Sequence, residues 1–208
     1  MGVADTGGIR TALVRQWRLI AASVSGLDLS APSRIPGWRN REVLAHLAVQ
    51  PSLLVRFLRD ASAIPPQVSL VDNLSGTRAL AEMIDASARS ARDEDLDFGS
   101  RLRHALPAIE DADLSTTVTT LQGAIALEDY LRTRCVEAVV HGCDLLPAVV
   151  PDGEALRVAA SALVAVLASR RPDLVAIAAA MPPLQWVDEA TGRAQPSGTL
   201  RGVLPLMT

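Results

Sequence analysis

The chain has 208 residues, a formal net charge of −3 and an apolar fraction of 49%. These values are typical of a globular protein with a hydrophobic core, and the low aromatic content (3%) favours packed helices over a β-sandwich. The sequence contains no basic stripe and no row of stacking aromatics, which argues against a nucleic-acid-binding surface.

The sequence also lacks the features of a membrane protein. The longest apolar stretch, near residues 155–169, contains Arg157, and a membrane span needs about 18 or more apolar residues. The N-terminal residues 1–14 have no charged segment followed by an apolar one, so we expect no signal peptide. We therefore expect a cytoplasmic protein that does not contact membranes, either a monomer or a homodimer.

Hydrophobic periodicity predicts a mainly α-helical protein. Apolar residues recur every three or four positions from Ile9 to Val24, as on one face of a helix. Asn40 is the expected N-cap of the second helix, and Pro51 is expected to kink it. No strand with a period of two stands out, and residues 61–73 and 110–120 are expected to be loops. The five predicted helices span residues 8–25, 40–60, 75–92 (resuming over 99–109), 124–146 and 151–170, with short helical pieces beyond.

The pair Glu137-x-x-x-His141 lies in the fourth predicted helix (124–146). Four residues turn a helix by about 400°, so the two side chains lie on one face, one turn apart. A carboxylate and an imidazole are both competent zinc ligands, and His46 on a neighbouring helix would complete a His, Glu, His set inside a bundle. Three protein ligands leave one position open for water or substrate, as in catalytic zinc sites.

Simpler interpretations remain open for the same residues. A Glu-x-x-x-His pair is often a surface pair on a helix, and a single histidine such as His46 is often a core or surface residue. Both histidines lie in apolar surroundings, however, where an ionisable group is costly unless it is paired or bound to a metal. Asp144 is a candidate to orient His141, or alternatively a local helix cap. Gln50 is a candidate to line the cavity, or alternatively an exposed side chain.

The other reactive residue types do not join this set. Cys135 and Cys143 are about 12 Å apart along one helix, which is too far for a disulfide, and both point away from Glu137. We interpret both as small core residues. His104 has no acidic or cysteine partner at ligand spacing. No nucleophile motif of an acyl-transfer triad is present either.

Three segments of the sequence resemble a known family. They are PGW at 36–38, EVLAHL at 42–47 and RxxExxxHGxDL at 134–145. Together they resemble the mycothiol-dependent maleylpyruvate isomerase family, which belongs to the DinB-like group of metal-binding four-helix bundles. The resemblance covers about residues 8–147. The tail, with WxxxATGR at 186–193 and LPL at 204–206, also resembles some members. The family is actinobacterial and high in GC, which agrees with the absence of lysine.

The resemblance implies a fold, a site and a chemistry. It implies an all-α, DinB-like four-helix bundle over residues 1–147 with a short C-terminal helical extension over 148–208. It places the family's zinc ligands on His46, Glu137 and His141. The extension is too short for the full C-terminal domain of the founding isomerase, so maleylpyruvate itself is not implied as the substrate.

The implied activity is a zinc-dependent one, or one that depends on another divalent metal, with mycothiol as thiol cofactor and a small electrophile as substrate. The enzyme would be an isomerase or an S-transferase. Two alternatives stay open at this stage. One is a DinB-like metal-binding or regulatory protein without turnover. The other is a zinc hydrolase, for which Glu42 and Asp144 are the nearby carboxylates able to act as a general base.

Overall fold

The computed structural model describes residues 6–207 and is mainly helical, as the sequence predicts. The N-terminal residues 1–5, on which the signal-peptide prediction partly depends, lie outside the described residues. The α-helices, in chain order, are α1 (Thr6–Val24), α2 (Asn40–Arg59), α3 (Leu70–Ser75), α4 (Ala81–Ser90), α5 (Phe98–Glu110), α6 (Leu127–Asp144), α7 (Gly153–Arg170), α8 (Val175–Ala179) and α9 (Pro183–Ala190). Short 3-10 turns are Gly76–Leu80, Asp93–Leu96, Pro172–Leu174 and Gly198–Leu200.

Four long helices, α1, α2, α5 and α6, form a bundle around the first of two hydrophobic cores. Trp17 of α1 meets Phe98 of α5 edge to face in this core, with ring centroids 6.5 Å apart. The second core lies on the opposite side of α6, where α7 packs against α6 and α9 packs against α7. Since α6 is covered on both sides, most of its residues are buried and apolar. On the side that faces α2, the helix carries Arg134, Glu137 and His141.

One prediction of local structure is wrong. Residues 117–126 form a β-hairpin, with strand β1 (Thr117–Thr120) antiparallel to β2 (Gly123–Ala126), so α6 begins at Leu127 and not at 124. The segment Gly123–Ala126 resembles a helix start because it is rich in alanine. Pairing with the threonine-rich β1 and complete burial of Ile125 instead favour the strand. Gly123 has φ +119°, a conformation that side chains disfavour.

The third and fourth predicted helices also differ from the structure in their bounds. The third predicted helix begins earlier, at Leu70, because Ser69 caps it and pairs with Asp72 in a capping box. The 3-10 turn Gly76–Leu80 then interrupts it. The fourth ends at Asp144, two residues before the predicted end.

The beginning of α2 shows a further difference. Asn40 is not its N-cap but a fully buried residue whose amide donates to the carbonyls of Asp28 and Leu146. Its Oδ1 also accepts from the backbone N–H of Leu146 at 2.9 Å. At the N-terminal end of α2, the carboxylate of Glu42 instead accepts a hydrogen bond from the backbone N–H of Arg39, at 2.7 Å. Asn40 therefore ties the start of α2 to the end of α6.

The helix α2 continues through Pro51 to Arg59. Among residues 6–207, no helix is long and apolar enough to cross a membrane.

Candidate metal centre

The candidate site lies between α2 and α6, which run antiparallel. This direction follows from the side chains that meet across the two helices. In order along the pair, they are Phe57 with Tyr130, Gln50 with Arg134, and His46 with Glu137 and His141. Spacings of three and four residues on each helix keep all these side chains on the two facing stripes. The aromatic contact lies at one end of this series, and the two polar contacts follow it along the helices.

The structure brings His46, Glu137 and His141 together. Glu137 Oε2 lies 2.9 Å from His46 Nε2 and 3.4 Å from His141 Nε2. One donor atom from each of the three residues falls within 4.8 Å of the other two. The side chains are 7%, 11% and 17% exposed, so the cluster is largely shielded from water but still reachable. The helix spacing correctly predicted that these three residues meet.

Asp144 lies at the end of α6 and holds the far side of His141. Its Oδ2 is 2.9 Å from His141 Nδ1, and its side chain is fully buried. Arg193, from the C-terminal segment, donates to both carboxylate oxygens of Asp144, at 3.1 Å through Nε and 2.7 Å through Nη2. The chain Arg193–Asp144–His141 fixes the imidazole with Nδ1 toward Asp144 and Nε2 toward Glu137. Of the two sequence interpretations of Asp144, this contact with His141 agrees with the orienting one.

Burial and hydrogen bonding act in opposite directions on these groups. Burial alone would lower the pKa of His141, but hydrogen bonds with Asp144 and Glu137 outweigh it and raise the pKa to about 9. Burial would raise the pKa of Asp144, but hydrogen bonds from His141 and Arg193 lower it to about 2. Burial also opposes ionisation of Glu137, yet hydrogen bonds from His141 and His46 hold its pKa well below the ordinary value. Burial is the largest influence on His46 and lowers its pKa. At neutral pH the cluster therefore contains two carboxylates, one imidazolium and one neutral imidazole.

This donor set fits a divalent metal ion. Both histidines present Nε2 to the same carboxylate oxygen, and two imidazoles with one carboxylate form a known catalytic zinc set. Metal-bound histidines usually donate their second N–H to a carboxylate, as His141 does to Asp144. A proton at His141 Nε2 occupies the position that a metal would take.

A family model for the mycothiol maleylpyruvate isomerase N-terminal domain matches residues 10–146. The chain belongs to this family. The match covers α1 from residue 10 onward, the other three bundle helices, the hairpin and all three candidate ligands. A search of curated proteins and a search of solved structures found no match.

In this family member, a cavity of about 270 Å³ leads away from the cluster between α2, α4 and α6. His46 and Glu137 form part of its wall, and most of the remaining wall is apolar. Leu121, at the tip of the hairpin, lines the cavity and is 71% exposed. We call this space the chamber. A second recess, of about 40 Å³, adjoins His141 and Arg193 on the other side of Glu137.

The structure also places the other residues that the sequence singled out. Gln50 is buried and lines the chamber, so its interpretation as an exposed side chain is wrong. The thiols of Cys135 and Cys143 are free and buried, and neither lies in the candidate metal group. His104 is exposed. Glu42 binds the N–H of Arg39 at the helix start and does not line the chamber.

Sequence reasoning missed two arginines that shape the site. Arg193 was noted only as part of a tail motif, and its contact with Asp144 spans 49 residues of sequence. Arg134 was noted only as part of the family pattern, yet it lines the chamber one helical turn before Glu137. The signal for Arg134 was an arginine on the same helix face as two candidate ligands. No local pattern identified Arg193.

Proposed function

We propose that this protein is a zinc-dependent enzyme that uses a thiol cofactor, mycothiol, and acts on small electrophiles as an isomerase or an S-transferase. The observation that carries the proposal is the cluster of His46, Glu137 and His141 at the end of the chamber, in a chain of the mycothiol maleylpyruvate isomerase N-terminal domain family. Zinc is favoured over other divalent ions because two imidazoles and one carboxylate suit it well.

His46, Glu137 and His141 would hold the metal, with the fourth position open. When bound there, the metal lowers the pKa of a coordinated thiol, so that the thiol is presented as a thiolate at neutral pH. The proposal covers two reaction types at one site. In an isomerase the thiol adds to the substrate and leaves again, whereas in an S-transferase the thioether stays on the product.

The protein's own side chains have separate tasks in this proposal. Arg193 and Asp144 keep His141 oriented, so that its Nε2 points inward without further rearrangement. Glu137 supplies one negative charge, which leaves a zinc site with a single positive charge that a thiolate neutralises. The apolar chamber receives the electrophile and limits the access of water, which strengthens electrostatic interactions.

The hydrolase alternative has less support. Glu137 is the one carboxylate among the described residues that line the chamber, and it belongs to the proposed ligand set. Asp144 is fully buried and bonded to His141 and Arg193, and Glu42 is bonded to Arg39. A general base for activating water would need a free carboxylate in the chamber.

The division of the chain at residue 147 stays a prediction. The segment beyond it nevertheless contributes to the site, because Arg193 reaches Asp144 from there. We therefore propose that the extension over 148–208 supports the metal centre of the bundle.

The proposal is tested first by metal content. Wild-type protein should contain about one zinc per chain, and His46→Ala and His141→Ala should each lose most of it. His104→Ala is the matched control, since His104 is exposed and lies outside the cluster. Unchanged zinc in both ligand variants, measured by elemental analysis, would rule out the assignment.

The second step tests the thiol. Calorimetry of zinc-loaded wild type with mycothiol should show binding, and loss of free thiol with a test electrophile should show turnover. If zinc-loaded protein binds no low-molecular-weight thiol, the thiol-cofactor proposal fails and a metal-binding protein without turnover becomes the better explanation.

A further inference from the structure

The walls of the chamber indicate what kind of molecule it takes. Apolar side chains from α2, the following helices and the hairpin form most of the surface; they include Val49, Leu53, Phe57, Leu80, Ile84 and Leu121. The volume of about 270 Å³ is well above the roughly 150 Å³ that holds a benzene molecule in a protein interior. A ring or a short hydrocarbon chain fits such walls. A strongly hydrated group would lose its water there without gaining hydrogen bonds.

One cation, Arg134, lines this apolar space. Arg134 stacks on Tyr130, with its guanidinium carbon 4.7 Å from the ring centroid. Its Nη1 donates to Gln50 Oε1 and its Nε to Thr133 Oγ1. Among residues 6–207 it forms no ion pair, and no hydrogen bond from its Nη2 is found. Arg132, two positions earlier, forms ion pairs with two carboxylates. Arg134 forms none, although its charge helps to lower the pKa of Glu137.

A second polar group in the wall of the chamber has no hydrogen-bond partner. Asn73 of α3 lines the same chamber and is only 2% exposed. Within residues 6–207 its side-chain amide makes no hydrogen bond. Its oxygen and nitrogen are not sealed off by protein, so a ligand in the chamber can donate to or accept from this amide.

The charges around the site also leave a place for an anion. The carboxylates of Glu137 and Asp144 balance the guanidinium groups of Arg134 and Arg193. A divalent metal on neutral histidines would then leave two positive charges, of which a thiolate neutralises one. An anionic group beside Arg134 would neutralise the other, and neutralising buried charge lowers its desolvation cost.

The geometry sets the spacing of the ligand's groups. Gln50 follows His46 by four residues and Arg134 precedes Glu137 by three, so the Gln50–Arg134 pair lies about 5–6 Å along the helices from the metal ligands. A ligand that spans this interval has its anionic group one helical turn from the carbon that meets the thiol.

We propose that the chamber binds a monocarboxylic acid with an apolar body. The carboxylate lies on Arg134 and the amide of Asn73, and the body lies against the apolar wall. This inference rests on the proposed function, because it identifies the electrophile of that reaction as an apolar monocarboxylic acid. Its test, however, needs neither metal nor thiol.

Binding is measured by calorimetry on metal-free full-length protein with three probes. They are trans-cinnamate (ring and carboxylate), cinnamyl alcohol (ring without charge) and fumarate (two carboxylates without an apolar body). We expect cinnamate to bind best, at least about tenfold more tightly than the alcohol, as a charge-assisted hydrogen bond provides. Arg134→Gln should remove most of that difference. Arg132→Gln, on the same helix but outside the chamber, should not.

Each result decides the inference. Equal affinity for cinnamate and cinnamyl alcohol in wild type would overturn it without any variant, so a failure of Arg134→Gln to fold would leave the test intact. Tighter binding of fumarate than of cinnamate would overturn the apolar body. If zinc and thiol binding fail while cinnamate still binds through Arg134, the proposed function falls and the carboxylate site stands. If zinc and thiol bind but cinnamate does not, only this inference falls.

Discussion

The contact between Arg193 and Asp144 makes a prediction that joins stability to metal binding. In Arg193→Ala, the fully buried carboxylate of Asp144 loses both of its guanidinium hydrogen bonds and keeps only His141. The loss should therefore affect the fold and the orientation of the metal ligand together.

The magnitude follows from the burial of the pair. Removing one partner of a buried ion pair usually costs about 3–5 kcal/mol. Because His141 remains as a second partner for Asp144, we expect about 2–3 kcal/mol, which lowers the Tm by roughly 5–10 °C in a chain of this size. Since the contact orients a metal ligand, zinc affinity should also fall, by about 10–100-fold.

The assay pairs thermal unfolding of metal-free protein with competition against a zinc chelator. Arg193→Lys keeps the charge but not the two-pronged geometry, so it should fall between wild type and Arg193→Ala. Arg157→Ala is the control, because Arg157 is 65% exposed and its ion pair with Glu154 lies on the surface of α7. It should change stability by less than about 1 kcal/mol and leave zinc affinity unaltered. A lowered Tm with unchanged zinc affinity in Arg193→Ala would refute the positioning role.

Four further predictions concern the cluster and the cysteines. Glu137→Gln keeps the shape of the side chain but removes its negative charge, so zinc affinity should fall. The zinc-loaded variant should still bind the thiol but should turn over the electrophile slowly. Full zinc content together with full turnover would mean that Glu137 is not a ligand. Cys135→Ser should leave zinc content unchanged but cost about 1–3 kcal/mol of stability, because the fully buried position leaves the new hydroxyl without a partner. Cys143→Ser should cost less, since the thiol already faces the carbonyl of Val149 at 3.7 Å; a drop in zinc in either variant would contradict both placements. Zinc binding at pH 7 should release about one proton, because His141 is protonated up to its pKa of about 9, whereas burial lowers the pKa of the other histidine and Glu137 is already ionised. Zinc affinity should therefore rise by about tenfold per pH unit toward pH 9. The stability that protonated His141 gives the metal-free fold is complete below about pH 6.5 and is lost as the pH rises through 9. Calorimetry in two buffers of different ionisation enthalpy counts the released protons, and no release would contradict the assignment of His141 as a ligand.

The convergence of the candidate ligands could be predicted from sequence because it depends on helix periodicity. Glu137 and His141 share a face by their spacing alone, and an antiparallel neighbour was enough to place His46 opposite them. The local environment also carried information, since ionisable groups in apolar helices need partners. In this protein, His46, Glu137 and His141 are partners of one another, and Asp144 is a further partner of His141.

The hairpin and the outer contacts of the site could not be predicted in the same way. Strands of four residues show too few alternations to reveal a period of two, and Gly123–Ala126 has a helix-like composition. Asn40 is a residue type typical of N-caps, but its amide donates a hydrogen bond to Leu146, which is far along the sequence. Arg193 and Asn73 depend on packing between distant elements, which no local spacing records.

X-ray absorption at the zinc edge tests the central claim most directly. Zinc-loaded protein without thiol should show only nitrogen and oxygen neighbours, from His46, Glu137, His141 and water. Adding mycothiol should introduce one sulfur neighbour at about 2.3 Å. A sulfur neighbour before thiol is added would indicate a cysteine ligand, and a spectrum unchanged by mycothiol would contradict a thiol-binding zinc site.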